Sequence, residues 1–287
     1  MTAVAILPLA RSPSELRREV RAWKKDGQRV ALVPTMGALH EGHLSLVRLA
    51  RENADRVVAS LFVNPTQFSA GEDLERYPRQ EAKDQTLLSE AGCDLLFAPA
   101  ADAVYPRGFA TAITVSGVSD DLEGRFRPQM FRGVATVVAK LLIAAEPDVA
   151  VFGEKDYQQL LVIRRLVRDL DLPVEIVAGP TVREDDGLAM SSRNAYLDPT
   201  QRMIAGRLNL ALADAARRAK KGDPVAEIEA DTTAELLEAG FDKVDYVAIR
   251  NADDLAPFVG TVDAEARVLA AARISGARLI DNLPVGA

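Results

Sequence analysis

Short apolar segments with the pattern of β-strands alternate with helical segments through the first two thirds of this chain of 287 residues. Residues 57–63 form an almost unbroken apolar run, which is typical of a strand buried on both faces. Further short strands are predicted at residues 29–33, ending at Pro34, and at residues 94–98, 149–152 and 174–178. Between them lie helical patterns, including a nearly all-apolar helix at residues 134–145. This alternation indicates an α/β fold in which helices cover both faces of a parallel sheet.

The last hundred or so residues follow a different order. After the turn sequence Asp185-Asp186-Gly187, helices are predicted at residues 199–220 and 224–239, with a break at Gly222-Asp223-Pro224. Strands are then predicted at residues 244–249, 267–274 and 278–280. Helices followed by strands indicate a smaller α+β domain. We therefore assign residues 1–183 to a first domain and residues 184–287 to a second, and place the boundary between residues 181 and 188.

The composition, 48% apolar and 27% charged, is that of an ordinary globular protein. A formal net charge of −7 argues against a general nucleic-acid-binding surface. The single cysteine, Cys93, excludes an intrachain disulfide and a multi-cysteine metal cluster, and it fits a reducing cytoplasm. Residues 1–9 lack the features of a signal peptide, and the apolar stretch 134–145 is too short to span a bilayer. We expect a cytoplasmic protein without a membrane or nucleic-acid partner.

The chain has two histidines, which lie three residues apart in the sequence His40-Glu41-Gly42-His43. They follow a predicted strand and turn, and they precede a helical pattern. Residues at this spacing share one face of a helix, and the start of a helix carries unbonded N–H groups and the positive end of the dipole. Gly37 and Gly42 allow the backbone to approach a ligand closely. The combination favours binding of a triphosphate.

The histidine pair also admits other interpretations. The two side chains could be zinc ligands completed by carboxylates, since the chain has neither a third histidine nor a second cysteine. They could equally be core or surface histidines without a function. The longer string Pro34-Thr35-Met36-Gly37-Ala38-Leu39-His40-Glu41-Gly42-His43 is far more specific than the two histidines alone.

Four further strings follow in the same order: Phe62-Val63-Asn64-Pro65-Thr66-Gln67-Phe68, Tyr77-Pro78-Arg79, Phe152-Gly153-Glu154-Lys155-Asp156-Tyr157-Gln158-Gln159 and Gly187-Leu188-Ala189-Met190-Ser191-Ser192-Arg193-Asn194. Together these motifs closely resemble the pantothenate synthetases, which are pantoate–β-alanine ligases of the H-x-G-H nucleotidyltransferase superfamily. The resemblance in motifs runs from about residue 30 to about residue 198. The last hundred residues match mainly in length and in the order of predicted helices and strands.

The resemblance implies a Rossmann-like, doubly wound parallel sheet with a smaller C-terminal α+β lid domain. It also implies a cytoplasmic homodimer and a reaction in two steps. ATP and (R)-pantoate would give pantoyl-adenylate and pyrophosphate, and β-alanine would then attack the adenylate to give pantothenate and AMP. Mg²⁺ would accompany ATP. The residues by themselves equally permit another small-molecule nucleotidyltransferase, and a regulatory protein that only binds a nucleotide or a metal is a third possibility.

His40, His43 and Lys155 are the candidate catalytic residues, because each can place a donor where charge develops on the phosphates. Lys155 alone would be read as a surface lysine, but it follows a strand of the predicted parallel sheet, where ligands bind. The resemblance implies a wider set of ATP contacts: Met36, Gly37, Ala38, Leu39, His40, Glu41, Gly42, His43, Gly153, Glu154, Lys155, Asp156, Val182, Met190, Ser191, Ser192 and Arg193. Within this set Ser191, Ser192 and Arg193 offer hydroxyl and guanidinium donors for phosphate oxygens.

Gln67 and Gln159 are the candidates for binding pantoate, since a carboxamide both donates and accepts hydrogen bonds. Without the resemblance, Gln67 would be read as a turn residue and Gln159 as a helix surface residue. Tyr77 and Glu123 are weaker candidates for shaping the pocket. Met130 stands where many members of the family carry histidine, and we assign it no role. No magnesium ligand is assigned, because the acidic cluster after Tyr77-Pro78-Arg79 is thin, with Glu81, Lys83 and Asp84.

Overall fold

A computed structural model describes residues 7–68 and 74–286 of the chain. Within them, parallel strands form a six-stranded sheet in the order β1-β4-β3-β2-β5-β6. The strands are β1 (Leu9–Ala10), β2 (Val30–Thr35), β3 (Arg56–Leu61), β4 (Leu95–Phe97), β5 (Val149–Gly153) and β6 (Glu175–Gly179). The central strands are buried along almost their whole length, which explains their apolar runs. The predicted α/β class with a doubly wound parallel sheet is confirmed.

Helices connect these strands: α1 (Pro13–Lys25), α2 (Glu41–Asn53), α3 (Glu81–Glu90), α4 (Ala101–Val104), α5 (Glu123–Phe126), α6 (Met130–Ala145) and α7 (Tyr157–Asp169). The helix predicted at residues 134–145 is α6, which starts four residues earlier and is buried over most of its length. The sequence analysis missed α1 and α3, as well as the short helices α4 and α5. For α1 the signal was present, because Ser12 and Glu15 form a capping box and Pro13 occupies the first turn.

The direction of the chain along the sheet reverses between β2 and β5. The chain runs from β2 through β3 to β4 on one side, and from β5 to β6 on the other. β2 and β5 are neighbours, with Ala31 paired to Val149. In open parallel sheets, ligands bind at the carboxyl ends of the strands that flank such a reversal. We therefore expect a ligand site at the segments that follow β2 and β5.

Pro34 was predicted to end its strand, and this was wrong by one residue, since β2 continues to Thr35. Pro34 pairs in register with Ser60 of β3. On the other side of β2, pairing with β5 is confined to Ala31 and Leu32. The missing N–H of proline therefore removes no hydrogen bond from the ladder with β5. The other predicted strands of the parallel sheet agree with the observed ones to within one or two residues.

The C-terminal part contains α8 (Pro199–Lys221), α9 (Val225–Glu238), β7 (Lys243–Asn251), β8 (Ala266–Ile274) and β9 (Ala277–Pro284). Its strands form an antiparallel sheet in the order β7-β8-β9. The apolar faces of both helices pack on this sheet, with Leu208, Leu212, Ile228 and Val268 in the core. Helix α8 begins with a capping box at Asp198 and ends at Gly222, whose φ of 89° suits a helix C-terminus. The predicted smaller α+β unit is thus present.

The chain divides into two compact units. The first comprises residues 1–154 and 162–180, and the second comprises residues 155–161 and 181–287. Our prediction divided the chain once, at residue 183. The segment 155–161 could not be assigned from sequence order, because its partners are more than ninety residues away: Tyr157 donates through its hydroxyl to the carbonyl of Ala252, for example.

Among the residues that the structure describes, none of the helices combines the length and the apolar character required to cross a membrane. Most of the N-terminal apolar run, residues 1–6, lies outside the described residues, so the expectation that it is not a signal peptide stays a prediction.

Candidate active site

The two histidines form the N-terminal cap of α2. His40 is the N-cap residue, in an extended conformation with φ −134° and ψ 175°. Its Nδ1 accepts the backbone N–H of Gly42 at 3.2 Å, while Nδ1 of His43 accepts the N–H of His40 at 3.4 Å. The two ring centroids are 4.1 Å apart. The histidines therefore form a reciprocal capping box, a role that Ser or Thr and Glu more often fill.

This capping fixes the tautomer of both neutral imidazoles. A neutral imidazole carries its single proton on one nitrogen and accepts through the other. Because Nδ1 accepts a backbone N–H in both His40 and His43, the proton of the neutral ring lies on Nε2. Each ring therefore presents an Nε2–H donor at the start of α2. An N–H donor of this kind can stabilise negative charge on an oxygen.

The backbone of the loop before α2 is bonded within the protein. The N–H of Gly37 donates to Oγ1 of Thr35. The N–H groups of Ala38 and Leu39 donate to the two carboxylate oxygens of Asp84, at 3.0 and 2.9 Å. Ala38 and Leu39 were expected to contact ATP, and their amides are already engaged. These two amides are therefore not free to bind ATP unless their bonds to Asp84 break.

Gln67 lies in a short 3₁₀ turn, Pro65–Gln67, just beyond β3. Asn64, which is 1% exposed, donates from Nδ2 to Oε1 of Gln67 at 3.0 Å and to the carbonyl of Gly133 at 3.1 Å. Oδ1 of Asn64 accepts the hydroxyl of Tyr105 at 2.9 Å. Nε2 of Gln67 in turn points to Sδ of Met36, at 3.1 Å. This network orients the Gln67 carboxamide, and it brings Gln67 to the same loop as the histidines.

Arg127 is the arginine that approaches this turn. It donates to the carbonyl of Gln67 at 3.4 Å and to Sδ of Met130 at 2.8 Å. Its guanidinium lies 4.0 Å from the carboxylate of Glu123, which is 4% exposed. Arg127 is half-buried, whereas the nearby Arg125 and Arg132 are exposed. Met130 thus contributes a thioether acceptor to this arrangement.

Tyr77 and the segment after β5 complete the predicted residues of the first unit. Tyr77 is buried, with its ring centroid 6.1 Å from that of Phe68. Gly153 ends β5, and a Cβ placed there would lie 3.7 Å from Cδ1 of Leu46 in α2. Glu154 begins the 3₁₀ turn that follows β5. Gly153 and Glu154 therefore lie at the carboxyl end of β5, one of the two strands that flank the reversal in the sheet.

Lys155 belongs to the second unit, where β9 holds its backbone. Nδ2 of Asn282 donates to the carbonyl of Lys155 at 2.9 Å, and Arg267 donates to Oδ1 of Asn282 at 2.6 Å. Arg267 also lies over the ring of Tyr157, 3.9 Å from its centroid. The ammonium of Lys155 lies 4.0 Å from the carboxylate of Asp156. The start of α7 is thus fixed by side chains that are more than a hundred residues away in sequence.

The two glutamines at the start of α7 differ in burial. Gln158 is 4% exposed, whereas Gln159 is half-buried. Gln159, the predicted pantoate contact, therefore has more solvent-exposed surface than Gln158 with which to contact a ligand.

Ser191, Ser192 and Arg193 lie at the start of a third 3₁₀ turn, Ser192–Tyr196. Oγ of Ser191 caps this turn by accepting the N–H of Arg193 at 3.3 Å. A short antiparallel β-bridge precedes this segment. Next to it, the N–H of Met190 donates to the carbonyl of Val182 at 3.0 Å. All these predicted residues are half-buried and lie together in the second unit.

The sequence analysis missed the residues that hold this second segment. Nδ2 of Asn194 donates to Glu184 at 2.6 Å and to the carbonyl of Ala189 at 3.1 Å. Arg202 of α8 donates to Glu184 at 2.8 Å and also binds Asp186. The hydrogen bond from Arg202 holds the pKa of Asp186 below its ordinary value. In the sequence analysis Asp186 appeared only as part of a turn and Glu184 was not singled out, so no local pattern pointed to Arg202.

The comparisons with known proteins cover almost the whole chain. Residues 8–284 match the family model described as pantoate–β-alanine ligase. The chain belongs to the pantoate–β-alanine ligase family. It is 57% identical over 280 residues to the pantothenate synthetase of Caulobacter vibrioides, covering 97% of this chain and 98% of that protein. It is 58% identical over 284 residues to the pantothenate synthetase of Paramagnetospirillum magneticum, covering 99% of both.

Solved structures of the family have the same fold. The pantothenate synthetase of Thermus thermophilus superposes with a TM-score of 0.91 at 50% identity, covering 97% of this chain and 99% of that one. The pantoate–β-alanine ligase of Francisella tularensis, solved in complex with β-γ ATP and β-alanine, superposes with a TM-score of 0.83 at 33% identity, covering 98% of each chain. The resemblance seen in the motifs is thereby confirmed, and it extends to the C-terminal part.

The acidic residues after Tyr77 already have partners within the protein. Glu81 forms an ion pair with Arg11 at 2.5 Å, and both carboxylate oxygens of Asp84 accept backbone N–H groups. Within residues 7–68 and 74–286, no group of three or more His, Cys, Asp or Glu side chains is arranged to hold a metal ion. The zinc interpretation of His40 and His43 also conflicts with the engagement of both Nδ1 atoms in the helix cap.

Proposed function

We propose that this chain is an ATP-dependent ligase, which condenses (R)-pantoate with β-alanine to pantothenate and releases AMP and pyrophosphate. The observation that carries this proposal is the match at 57–58% identity, over nearly the full length, to pantothenate synthetases. The Francisella tularensis ligase was solved in complex with an ATP species and β-alanine, which agrees with the nucleotide and the amine substrate proposed here.

The reaction proceeds through pantoyl-adenylate. The carboxylate of pantoate attacks the α-phosphorus of ATP, the bond from that phosphorus to the bridging oxygen breaks, and pyrophosphate leaves with the electron pair. Negative charge grows on the leaving group, where positioned donors have the largest effect on rate. Nε2–H of His40 and His43 supply such donors, and the ammonium of Lys155 supplies a point charge. The amine of β-alanine then attacks the acyl carbon, and AMP leaves.

The remaining contacts follow from donor chemistry. Ser191, Ser192 and Arg193 bind phosphate oxygens through hydroxyl and guanidinium groups. Asp156 accepts from the ribose hydroxyls, and the backbone around it contacts the adenosine together with Gly153, Glu154, Val182 and Met190. Oε1 of Gln67 already accepts from Asn64 and Nε2 points to Met36, so the second N–H of Nε2 is the donor toward the carboxylate or hydroxyls of pantoate. Gln159 provides the second carboxamide for the same substrate.

Mg²⁺ accompanies ATP in this proposal and is held by phosphate oxygens and water. No protein ligand for the metal is assigned, and no step is routed through it. We further propose that the enzyme works as a homodimer in the cytoplasm, and that residues 184–287 act as a lid that shields the hydrolysable adenylate from water.

Product analysis tests the function. With ATP, Mg²⁺, (R)-pantoate and β-alanine, we expect pantothenate, AMP and pyrophosphate to form in equal amounts, measured by chromatography and a coupled pyrophosphate assay. Omitting pantoate is the control and should abolish AMP formation. A small-molecule nucleotidyltransferase would keep the nucleotide in its product and release no AMP, and a protein that only binds nucleotide would consume no ATP. Either result would contradict the proposal.

A further inference from the structure

Asp84 is a buried carboxylate close to the histidine loop, and the proposed reaction gives it no role. It lies in the first turn of α3 and is 1% exposed. Its Oδ2 accepts the N–H of Ala38 at 3.0 Å, and its Oδ1 accepts the N–H of Leu39 at 2.9 Å. One side chain thus binds two consecutive amides of the segment that leads directly into His40.

The segment needs such a partner, because its backbone is strained. Gly37 has φ 88° and Ala38 has φ 53°, so two consecutive residues lie in the left-handed region. This region is open to glycine, but it is unfavourable for alanine. A Cβ added at Gly37 would lie 3.1 Å from Oδ2 of Asp84, so the carboxylate packs directly against the turn. The strained backbone aims successive N–H groups at one point, as in the anion-binding concavities called nests.

The occupant of this concavity is therefore an internal carboxylate. Burial raises the pKa of Asp84, and the two amide hydrogen bonds oppose that rise. Burying a carboxylate away from water is costly in free energy unless hydrogen bonds replace its hydration. The amides of Ala38 and Leu39 supply such hydrogen bonds. Both carboxylate oxygens of Asp84 accept amides of the loop, which connects α3 to the start of α2.

We propose that Asp84 is a positioning residue, whose two hydrogen bonds hold residues 37–39 in the one conformation that places the imidazoles of His40 and His43 for the phosphates of ATP. The proposal rests on the proposed ligase function for its catalytic consequence. Its structural part, the dependence of the imidazole geometry on the carboxylate of Asp84, can be tested without turnover.

Substitutions at residue 84 separate positioning from stability. Asp84→Asn keeps the shape but places an NH₂ group against one of the two amides, so the loop loses one hydrogen bond and gains a donor–donor conflict. We expect kcat for adenylation to fall about 10–100-fold, with KM for ATP and pantoate changing much less, because the donors are displaced by a fraction of an ångström. Glu81→Ala is the matched control: it removes a carboxylate from the same helical turn, where Glu81 pairs with Arg11 at the surface, and should leave kcat unchanged.

Chemical rescue tests whether a carboxylate is what the loop requires. Asp84→Ala opens a space of about the size of formate beside the amides of Ala38 and Leu39. We expect added formate to restore part of kcat in Asp84→Ala, whereas neutral formamide should not. If Asp84→Ala is poorly folded, Asp84→Asn still decides the question through the readout described next.

The histidine rings provide a direct readout, because the chain has only two histidines. In protein labelled with ¹⁵N-histidine, wild-type spectra should show both neutral rings protonated at Nε2. Asp84→Asn should shift at least one ring toward a mixture of tautomers, and Glu81→Ala should not. Unchanged tautomers together with unchanged kcat in Asp84→Asn would overturn the proposal. If the wild-type chain forms no adenylate while Asp84→Asn still changes the tautomers, the ligase function fails and the positioning role stands.

Discussion

Replacing His43 by alanine should lower the rate of adenylate formation about 10²–10³-fold, the usual loss when one donor to a developing oxyanion is removed. The variant loses the Nε2–H donor that capping of α2 places at the helix start. His40→Ala and Lys155→Ala should cause losses of similar size. The measurement is rapid-quench detection of pyrophosphate in a single turnover, with enzyme, ATP, Mg²⁺ and pantoate.

Loss of the helix cap alone cannot account for such an effect. Removing an N-cap side chain costs about 1 kcal/mol of stability, whereas a 10²–10³-fold loss of rate corresponds to about 3–4 kcal/mol in the transition state. Ser45→Ala is a suitable control, because Oγ of Ser45 bonds the carbonyl of Gly42 in the same turn of α2 without being placed at the site. The assignment of His43 is wrong if His43→Ala retains near-normal single-turnover adenylation.

Gly133→Ala should disrupt the turn that carries Gln67. Helix α6 approaches this turn so closely that a Cβ at residue 133 would lie 2.5 Å from the carbonyl oxygen of Thr66 and 2.7 Å from the nitrogen of Gln67. These are backbone atoms, so the turn or the helix must move. We expect a loss of about 1–3 kcal/mol in the free energy of unfolding, as for other overpacked sites, and a fall of about tenfold or more in kcat/KM for pantoate.

Chemical denaturation and steady-state kinetics measure the two effects separately. Ile143→Ala, at an exposed position 56% accessible to solvent on the same helix, is the control and should change neither quantity by much. If Gly133→Ala were as stable and as active as Ile143→Ala, the close contact between α6 and the 64–67 turn would not hold Gln67 in place.

The parallel sheet could be predicted from the sequence because its strands are buried on both faces and therefore read as short apolar runs. Residues 57–63 illustrate this, since all but one are apolar and the observed strand is Arg56–Leu61. The helix after His40 was predictable from apolar spacing, but the histidines themselves as its cap were not. The residue types that indicate a helix N-cap in a sequence are Ser, Thr, Asp and Asn. Histidine is not among them, so the sequence does not indicate that an imidazole nitrogen accepts the N–H groups.

The residues that position the candidate site could not be found from the sequence, because their partners are remote. Asp84 is 45 and 46 residues from the amides that it binds, and Asn64 is 69 residues from Gly133. In the structure, Asn64 binds both the Gln67 carboxamide and the carbonyl of Gly133. Sequence motifs identified the residues that are proposed to bind the ligands. The residues that hold these ligand-binding residues in position could be identified only from the three-dimensional contacts.

Isotope exchange tests the central claim most directly, namely that an acyl-adenylate forms before the amine arrives. With enzyme, ATP, Mg²⁺ and (R)-pantoate but no β-alanine, we predict about one equivalent of pyrophosphate in a rapid burst, followed by slow release. Labelled pyrophosphate should enter ATP in this mixture, and the exchange should disappear when pantoate is omitted. Exchange that requires β-alanine, or pyrophosphate that appears only after β-alanine is added, would contradict the account.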